Sequence, residues 1–148
     1  MILEYNQLSQ MDVAQLTQLY MLRESRHKND FLDGLHDVFF RTSGGSYWVL
    51  SDGNQYLAAL RMEPIRDGFL LSGLQVCSTC RRQGYGLKLV QDVTRRMGHT
   101  RIYSHIRHDN YPSIHLHLKA GFMKCSDTAR LLDGTVTSRY GTYVLEGE

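Results

Sequence analysis

The sequence predicts one α/β domain over residues 1–148, with a mixed central sheet of about six to seven strands and about four flanking helices. Three observations support this prediction. The length is that of an ordinary single domain. The apolar residues follow a helical period at first and an extended one after the Ser43-Gly44-Gly45 turn. A helix between two apolar strands later in the chain implies a parallel crossover, so the sheet should begin antiparallel, cross over once in parallel and end antiparallel.

Two amphipathic helices should come first. Ser9 and Asp12 resemble a capping box for a helix that ends near Arg23. One face of that helix is apolar, at Val13, Leu16, Leu19 and Tyr20. Asn29 or Asp30 can cap a second helix that ends before Ser43. Its apolar positions fall at helical spacing, at Phe31, Leu35, Val38 and Phe39.

The middle of the chain alternates between strands and helices. Strands are predicted over 47–50, 56–62 and 69–76, joined by turns at 51–54 and 67–68. A helix over 84–97 ends at Gly98, and a strand follows over 102–106. Pro112 and Gly121 bracket a short last helix, which Asn110 could cap. Met123 then begins a strand, and an Asp133-Gly134 turn leads to a final strand around Tyr143.

Charge and composition exclude several functions. The chain has 17 basic and 15 acidic residues, a net charge of +2, without the basic blocks expected of a nucleic-acid-binding protein. No apolar run approaches the roughly 18 residues that span a bilayer, and the N-terminus lacks the charge pattern of a signal peptide. Three cysteines fit a reducing compartment. We therefore expect a cytoplasmic protein with a small-molecule partner, without membrane or nucleic-acid binding.

The segment Arg81-Arg82-Gln83-Gly84-Tyr85-Gly86 stands between a predicted strand and a predicted helix. Glycines allow close backbone approach, and the N–H groups of a first helical turn attract anions, so the segment predicts a phosphate-binding loop. A dinucleotide fingerprint would need a third glycine where Leu89 stands. A P-loop would need Lys and then Ser or Thr after the last glycine, where Leu87 and Lys88 follow. A tight turn without ligand is the alternative.

This R-x-x-G-x-G pattern resembles the pyrophosphate-binding motif of the GNAT superfamily of acyl-CoA-dependent N-acetyltransferases. Two further features agree with the superfamily pattern: Leu74-x-Val76 ends the preceding strand, and a second motif follows about 25 residues later. The second motif comprises Ser104, Ile106, Asn110, Ser113, Leu116, His117, Gly121 and Phe122. The element order matches too, so the resemblance covers nearly the whole chain.

The resemblance implies an N-acetyltransferase that moves the acetyl group of acetyl-CoA to a primary amine of a small molecule or peptide. The amine would attack directly in a ternary complex, and CoA would be the product. The alternative is a catalytically weak or inactive acyl-CoA-binding regulatory module, acting as a monomer or homodimer like the enzyme. The implied cofactor-binding residues are Leu74, Val76, Arg81, Arg82, Gln83, Gly84, Tyr85, Gly86, Leu87, Lys88, Asn110 and Ser113.

His117 occupies the position where the superfamily usually has the tyrosine that protonates the leaving thiolate. An imidazole can perform that step, although a buried packing histidine is an equal alternative. The strand over 69–76 has no carboxylate, so Glu63 is the candidate general base, with Asp67 near it in sequence. A water chain ending on Glu63, Tyr103 or His105 could also remove the proton.

The sequence predicts no metal site. His115 and His117 point in different directions on a helix, and His105 and His108 have no further ligands at a familiar spacing. Cys77 and Cys80 form a C-x-x-C without a second pair, so we expect packing roles. The acceptor pocket should be built by the first two helices, the segment over 130–143 and the ends of the fourth and fifth strands of the family fold.

Overall fold

The computed structural model describes residues 1–98 and 100–147, and it confirms the predicted mixed α/β architecture. The helices are α1 (Val13–Leu19), α2 (Ser25–Gly34), α3 (Tyr85–Met97) and α4 (Tyr111–Lys119). The strands are β1 (Ile2–Tyr5), β2 (Ser46–Ser51), β3 (Tyr56–Ile65), β4 (Gly68–Val76), β5 (Ile102–Arg107), β6 (Met123–Ser126), β7 (Ala129–Arg130), β8 (Val136–Thr137) and β9 (Tyr140–Leu145).

Seven strands form the main sheet in the order β1-β2-β3-β4-β5-β9-β6. Strands β4 and β5 pair in parallel through the α3 crossover, and their neighbours on both sides pair antiparallel, as predicted. Two features escaped prediction. The short strand β1 adds to the edge of β2, and β7 pairs with β8 in a separate two-stranded sheet. Both are short, and two to four residues carry too little periodicity to recognise.

The predicted starts of the first two helices need correction. Asp12 alone caps α1, where its side chain accepts a hydrogen bond from the Gln15 N–H at 3.1 Å, while Ser9 lies in a preceding 3₁₀ turn. Helix α2 begins at Ser25, well before Asn29 and Asp30, and has no side-chain cap. Asp12 is thus confirmed as a cap, whereas Asn29 and Asp30 lie inside α2 and do not cap it.

The predicted end of the second helix is closer to the structure, but its last turns are π-helical over Leu35–Phe40. Leu35 and Phe39 are buried as predicted. Val38, predicted on the same apolar face, is 61% exposed. The wider π-helical turn changes the angle between successive side chains, which removes Val38 from the buried face.

Each face of the sheet carries its own hydrophobic core. Helices α3 and α4 cover one face, where Leu89, Val90 and Val93 pack on alternate residues of the central strands. Helix α1 and the π-helical turns cover β1 to β3 on the other face, with Leu16, Leu35 and Phe39. Among the described residues, this second core includes none from β4, β5 or β9, and we call the α1 side of these strands the open face.

No helix within residues 1–98 and 100–147 has the length and apolar character needed to cross a membrane.

We expect Leu89→Ala to lower the free energy of unfolding by about 2 to 5 kcal/mol, because it leaves a cavity under the middle of α3. Leu118→Ala is the matched control, since Leu118 on α4 is 49% exposed, and its effect should stay within about 0.5 kcal/mol. Urea denaturation followed by far-UV circular dichroism measures both. Equal losses in the two variants would contradict the assignment of the core.

Candidate functional site

The central feature of the candidate site is a gap between the two parallel strands. Strands β4 and β5 pair only at Phe69–Ile102, Leu70–Tyr103 and Leu71–Ser104. Both strands continue beyond these pairs, to Val76 and to Arg107. The backbone of β4 over 72–76 is thus not paired with β5, and it forms one wall of a cleft. Ligands of open α/β sheets bind at this carboxyl edge of parallel strands.

A β-bulge at Gly73 turns β4 away from β5. The register with β3 runs from Arg61–Ser72 to Ala59–Gln75, so two residues of β4, Gly73 and Leu74, stand opposite one residue of β3. Gly73 has φ +63°, in the left-handed region that other residues avoid. A Cβ atom there would lie 2.7 Å from Nε of Arg61. The conformation favours glycine, and a Cβ atom would also displace the end of the Arg61 side chain.

Two tyrosines fix the peptide of this bulge from the α1 side. The Tyr20 hydroxyl, at the end of α1, donates to the carbonyl oxygen of Gly73. The Tyr47 hydroxyl in turn donates to the Tyr20 oxygen at 2.6 Å. Burial raises the pKa of both phenols, so both keep their protons at neutral pH. The amino-terminal helices are thereby tied to the strand that lines the cleft.

The loop before α3 has the conformation of an anion-binding turn. Arg82 has φ +68° and Gly84, which precedes the first residue of α3, has φ +78°. Left-handed residues of this kind turn successive backbone N–H groups to one side. For a non-glycine residue such as Arg82 the conformation costs about 1 to 2 kcal/mol, and such strain is typical of ligand-binding segments.

Gly86 has a different role, which is packing. A Cβ atom on it would lie 2.9 Å from Cδ1 of Leu116 and 3.0 Å from Cγ2 of Val76. Its absence lets the first turn of α3 approach both β4 and α4. The two glycines of the motif therefore serve the cleft by separate means: Gly84 through its backbone conformation and Gly86 through close contact.

The cleft between β4, α3 and α4 has a volume of about 640 Å³, in the range of small-molecule sites. It brings together ten of the predicted residues: Leu74, Val76, Arg81, Arg82, Gly84, Tyr85, Gly86, Leu87, Asn110 and Ser113. Gln83 and Lys88 lie in the same segment but do not line the cleft, and Lys88 is 3.5 Å from the Asp92 carboxylate one helical turn on. The two predicted catalytic residues, His117 and Glu63, also lie outside its lining.

Asn110 lies where either role considered for it from the sequence can be met. It lines the cleft, and its side-chain oxygen caps α4 by accepting from the Ser113 N–H at 3.3 Å. The cleft also contains Leu116 of the second motif and four residues that neither motif includes: Gln75, Pro112, His115 and Lys119. The helical spacing from Asn110 through Ser113 and Leu116 could have suggested Lys119, because i, i+3 and i+4 positions share a face.

His117 is buried beneath this face of α4, with 1% of its surface exposed. Its Nδ1 lies 2.7 Å from the Ser113 carbonyl oxygen, and its ring packs edge-on against Phe122 at 5.0 Å between centroids. A carbonyl can only accept, so the neutral ring carries its proton on Nδ1 and a lone pair on Nε2. Nε2 has no hydrogen-bond partner within residues 1–98 and 100–147.

Burial lowers the pKa of His117, because desolvation disfavours the imidazolium more than the Ser113 carbonyl stabilises it. Donation from Nε2 would need that imidazolium. The proton-donor role inferred from sequence stays a prediction. It requires that the buried ring become protonated on Nε2, which carries a lone pair in the neutral form.

Glu63, Tyr103 and His105 face the opposite, open side of the sheet. Glu63 stands opposite Leu70 and Leu70 opposite Tyr103, so these side chains share a face, and His105 follows Tyr103 by two residues. His105 is half-buried, and desolvation lowers the pKa of its ring. The site therefore has two sides: a cleft on the α3 and α4 side and a set of titratable groups on the α1 side, with the gap between them.

The cysteines show no sign of a metal centre. Cys77, Cys80 and Cys125 are free thiols, and Cys80 is buried as predicted. Thr79 lies between the first two, with its hydroxyl 3.2 Å from the Cys77 sulfur. Among the described residues no three His, Cys, Asp or Glu side chains are placed to hold a metal ion.

Comparison with known proteins agrees with this geometry. Residues 12–122 match the family described as the acetyltransferase (GNAT) family. No curated protein matches the sequence. Similar solved structures include an acetyltransferase from Streptococcus agalactiae, with a TM-score of 0.70 and 17% identity over 99% of this chain and 97% of the other.

Two more of these structures have informative names. The PaiA N-acetyltransferase of Thermoplasma acidophilum, solved in complex with coenzyme A, has a TM-score of 0.67 and 9% identity over 99% of both chains. The ribosomal-protein-S18-alanine N-acetyltransferase of Escherichia coli has a TM-score of 0.64 and 16% identity over 97% of this chain and 91% of its own. At these identities the likeness is one of fold.

The burial of His117 leads to a prediction on protonation. We expect ¹⁵N NMR to show the Nδ1–H tautomer at neutral pH and a titration midpoint below the ordinary value of about 6.5. Because the folded-state pKa is lowered, the unfolded state binds more protons. The free energy of unfolding should then be full above pH about 6.5 and decrease as pH falls toward the folded-state pKa.

His117→Phe should weaken this decrease, and His115→Gln, which removes an exposed imidazole from the same helix, is the control. A ring that is protonated on both nitrogens at pH 7 would contradict the prediction and would restore the donor role.

Proposed function

Because the chain belongs to the acetyltransferase (GNAT) family, we propose that it transfers the acetyl group of acetyl-CoA to a primary amine of a small molecule or peptide. We propose a cytoplasmic enzyme, monomeric or homodimeric, in which the amine attacks directly in a ternary complex. The observation that carries the proposal is the cleft itself. In the cleft, the part of β4 that does not pair with β5 lies next to the anion-binding start of α3. The gap between β4 and β5 leads to titratable groups on the other face of the sheet.

The residues of the cleft fit CoA. The backbone N–H groups at the start of α3, turned by the left-handed Arg82 and Gly84, would hold the pyrophosphate, and the side chains of Arg81 and Arg82 add positive charge. The edge of β4 at Leu74 and Val76 would pair with the amides of the pantetheine arm, as an added strand would. Asn110 and Ser113, which also line the cleft, would face that arm.

When bound, acetyl-CoA supplies an activated acetyl group as a thioester. The bulge would position a backbone N–H, that of Leu74, to donate a hydrogen bond to the negative charge that develops on the acetyl oxygen. Tyr20 holds the Gly73 carbonyl on the α1 side, and in a trans peptide the N–H of the next residue points the opposite way. The Leu74 N–H is thus directed away from Tyr20, toward the cleft that Leu74 lines. A fixed backbone donor of this kind stabilises an oxyanion without reorganisation.

The incoming amine has to be neutral, so a base is needed on the open face. Glu63 on β3 and His105 on β5 are our two candidates, and Tyr103, two residues before His105 on β5, is a possible link for a water chain. His105 is favoured, because burial lowers its pKa and keeps the ring neutral at pH 7. Its position on β5, just beyond the last residue paired with β4, is at the mouth of the gap.

The leaving thiolate requires a proton as well. His117, the residue proposed from sequence, would have to supply it as an imidazolium through Nε2, and solvent at the cleft is the other source. The regulatory alternative, a CoA-binding module without catalysis, shares the cleft with the enzyme. The open face with its candidate bases favours the enzyme, since a module that only binds CoA has no use for them.

CoA binding gives the first test of the proposal. Acetyl-CoA at 100 times its Kd should stabilise the protein by about 2.7 kcal/mol, seen as a rise in Tm. Gly84→Val should abolish the rise, because a β-branched residue cannot keep the left-handed conformation that presents the N–H groups.

Gly134→Val is the matched control. Gly134 has φ +88° and, like Gly84, no atom within 4 Å of an added Cβ, but it lies in the turn between β7 and β8. This variant should keep the full rise. If Gly84→Val keeps the rise in Tm, the loop before α3 does not bind the pyrophosphate. If acetyl-CoA binds but its thioester is not consumed with any of a broad panel of amines, the regulatory module is favoured.

The base gives a second test. The rate kcat/KM should fall on the acid side as His105 becomes protonated, with a midpoint below about 6.5. His105→Gln should lower kcat about 10- to 1000-fold and remove that midpoint from the profile, with acetyl-CoA binding unchanged. Glu63→Gln is the paired variant. If Glu63→Gln alone has these effects, the base is Glu63 and our preference for His105 is wrong.

A further inference from the structure

Arg61 is a charged residue within the most apolar strand of the molecule. Its neighbours Ala59, Leu60 and Met62 on β3 have 0% exposure. Because alternate residues of a strand face opposite sides, Leu60 and Met62 enter the α3 core while Arg61 faces the α1 side with Glu63. The apolar positions of a strand rarely hold arginine unless the charge is used.

The guanidinium of Arg61 rests on aromatic rings and lacks a counter-charge. Its Cζ lies 5.7 Å from the centre of the Phe39 ring and 6.0 Å from that of Tyr47. Its Nε is buried and has no hydrogen-bond partner in residues 1–98 and 100–147. None of the ion pairs of these residues involves Arg61, whose charge is therefore unbalanced.

The neighbouring tyrosines do not balance this charge either. Tyr47 donates to Tyr20 and Tyr20 donates to Gly73, so both are neutral phenols with their protons engaged. Arg61 is half-buried, with its Nε shielded from water and without a partner, and a bound anion would supply the missing acceptor and the counter-charge. A monoanion suffices, since the groups in contact with the guanidinium are uncharged.

Arg61 also lies where the acceptor has to be. It stands opposite Ser72, the first residue of β4 beyond the last pair with β5, and its guanidinium lies against Gly73 of the bulge. An anion bound there would lie beside the gap through which the amine has to reach.

We propose that the acceptor is an amine that also carries a carboxylate, such as a free amino acid, and that Arg61 binds this carboxylate. The planar fork of the guanidinium matches the two oxygens of a carboxylate, and the aromatic rings beneath hold it in place. The inference rests on the proposed acetyl transfer, because it assigns the substrate class of that same site.

The test compares free amino acids with the corresponding amino-acid amides as acceptors, at saturating acetyl-CoA. The members of each pair differ only in the carboxylate. We expect kcat/KM to be at least about tenfold higher for the acid. Arg61→Met, which keeps the length and loses the charge, should reduce the ratio to about one, and Arg66→Met, on the exposed turn after β3, should keep it.

A binding measurement accompanies the kinetics and does not depend on turnover. With CoA present, the free amino acids should raise the Tm of the parent, their amides should not, and Arg61→Met should lose the effect. If Arg61→Met fails to fold, Arg61→Lys keeps the charge without the fork and should retain only a small part of the preference.

The outcomes separate the two proposals. Equal use of acids and amides overturns the carboxylate site and leaves acetyl transfer intact. The carboxylate site is also overturned if acetyl-CoA binds, neither series is acetylated and the acids do not raise the Tm. If acetyl-CoA does not bind to the parent protein, the proposed function itself is contradicted.

Discussion

The candidate site depends on one backbone conformation, the left-handed Gly73 in the bulge of β4. Without the extra residue there, β4 would continue in register between β3 and β5, and the sheet would close over the gap. The bulge breaks the pairing with β5, rotates a carbonyl toward α1 and leaves the far half of β4 as the wall of a cleft. The cleft, the approach of Arg61 and the contact with Tyr20 all follow from it.

The same conformation connects the two faces of the sheet. On one side the Tyr47–Tyr20 hydrogen-bond chain ends on the Gly73 carbonyl, and on the other the next residue lines the cleft. A displacement of α1 would therefore move the edge of β4 that faces the anion-binding loop. The amino-terminal helices do more than cover a hydrophobic core, since their hydrogen bonds help to define the cleft on the opposite face.

The sequence predicted those parts of the structure that leave a local trace. The strand-helix-strand order, the glycine loop and the Asn110 cap each depend on a few adjacent residues. All three are present in the structure. Tyr20 and Gly73 are 53 positions apart, and nothing in the sequence near either residue indicates the contact. The burial of His117 was one of two alternatives that the sequence left open, because it depends on how Phe122 packs after α4 has ended. Of the features that were not predicted, only Arg61 could have been noticed in the sequence, as a charged residue within an apolar strand.

The narrow junction between β4 and β5 has a consequence for the motions of the protein. Three residue pairs join the strands β1 to β4 to the strands β5, β9 and β6 within the sheet. Three pairs are as few as at any junction of the main sheet, and this junction lies in its middle, so it is where the molecule should open most readily by local fluctuation, with each half keeping its own pairing. A ligand in the cleft touches β4 and α3 on one side and α4 on the other, and it would brace the two halves against each other. Occupation of the cleft would thus make the whole sheet behave as a single cooperative unit, with slower amide exchange on both sides of the junction.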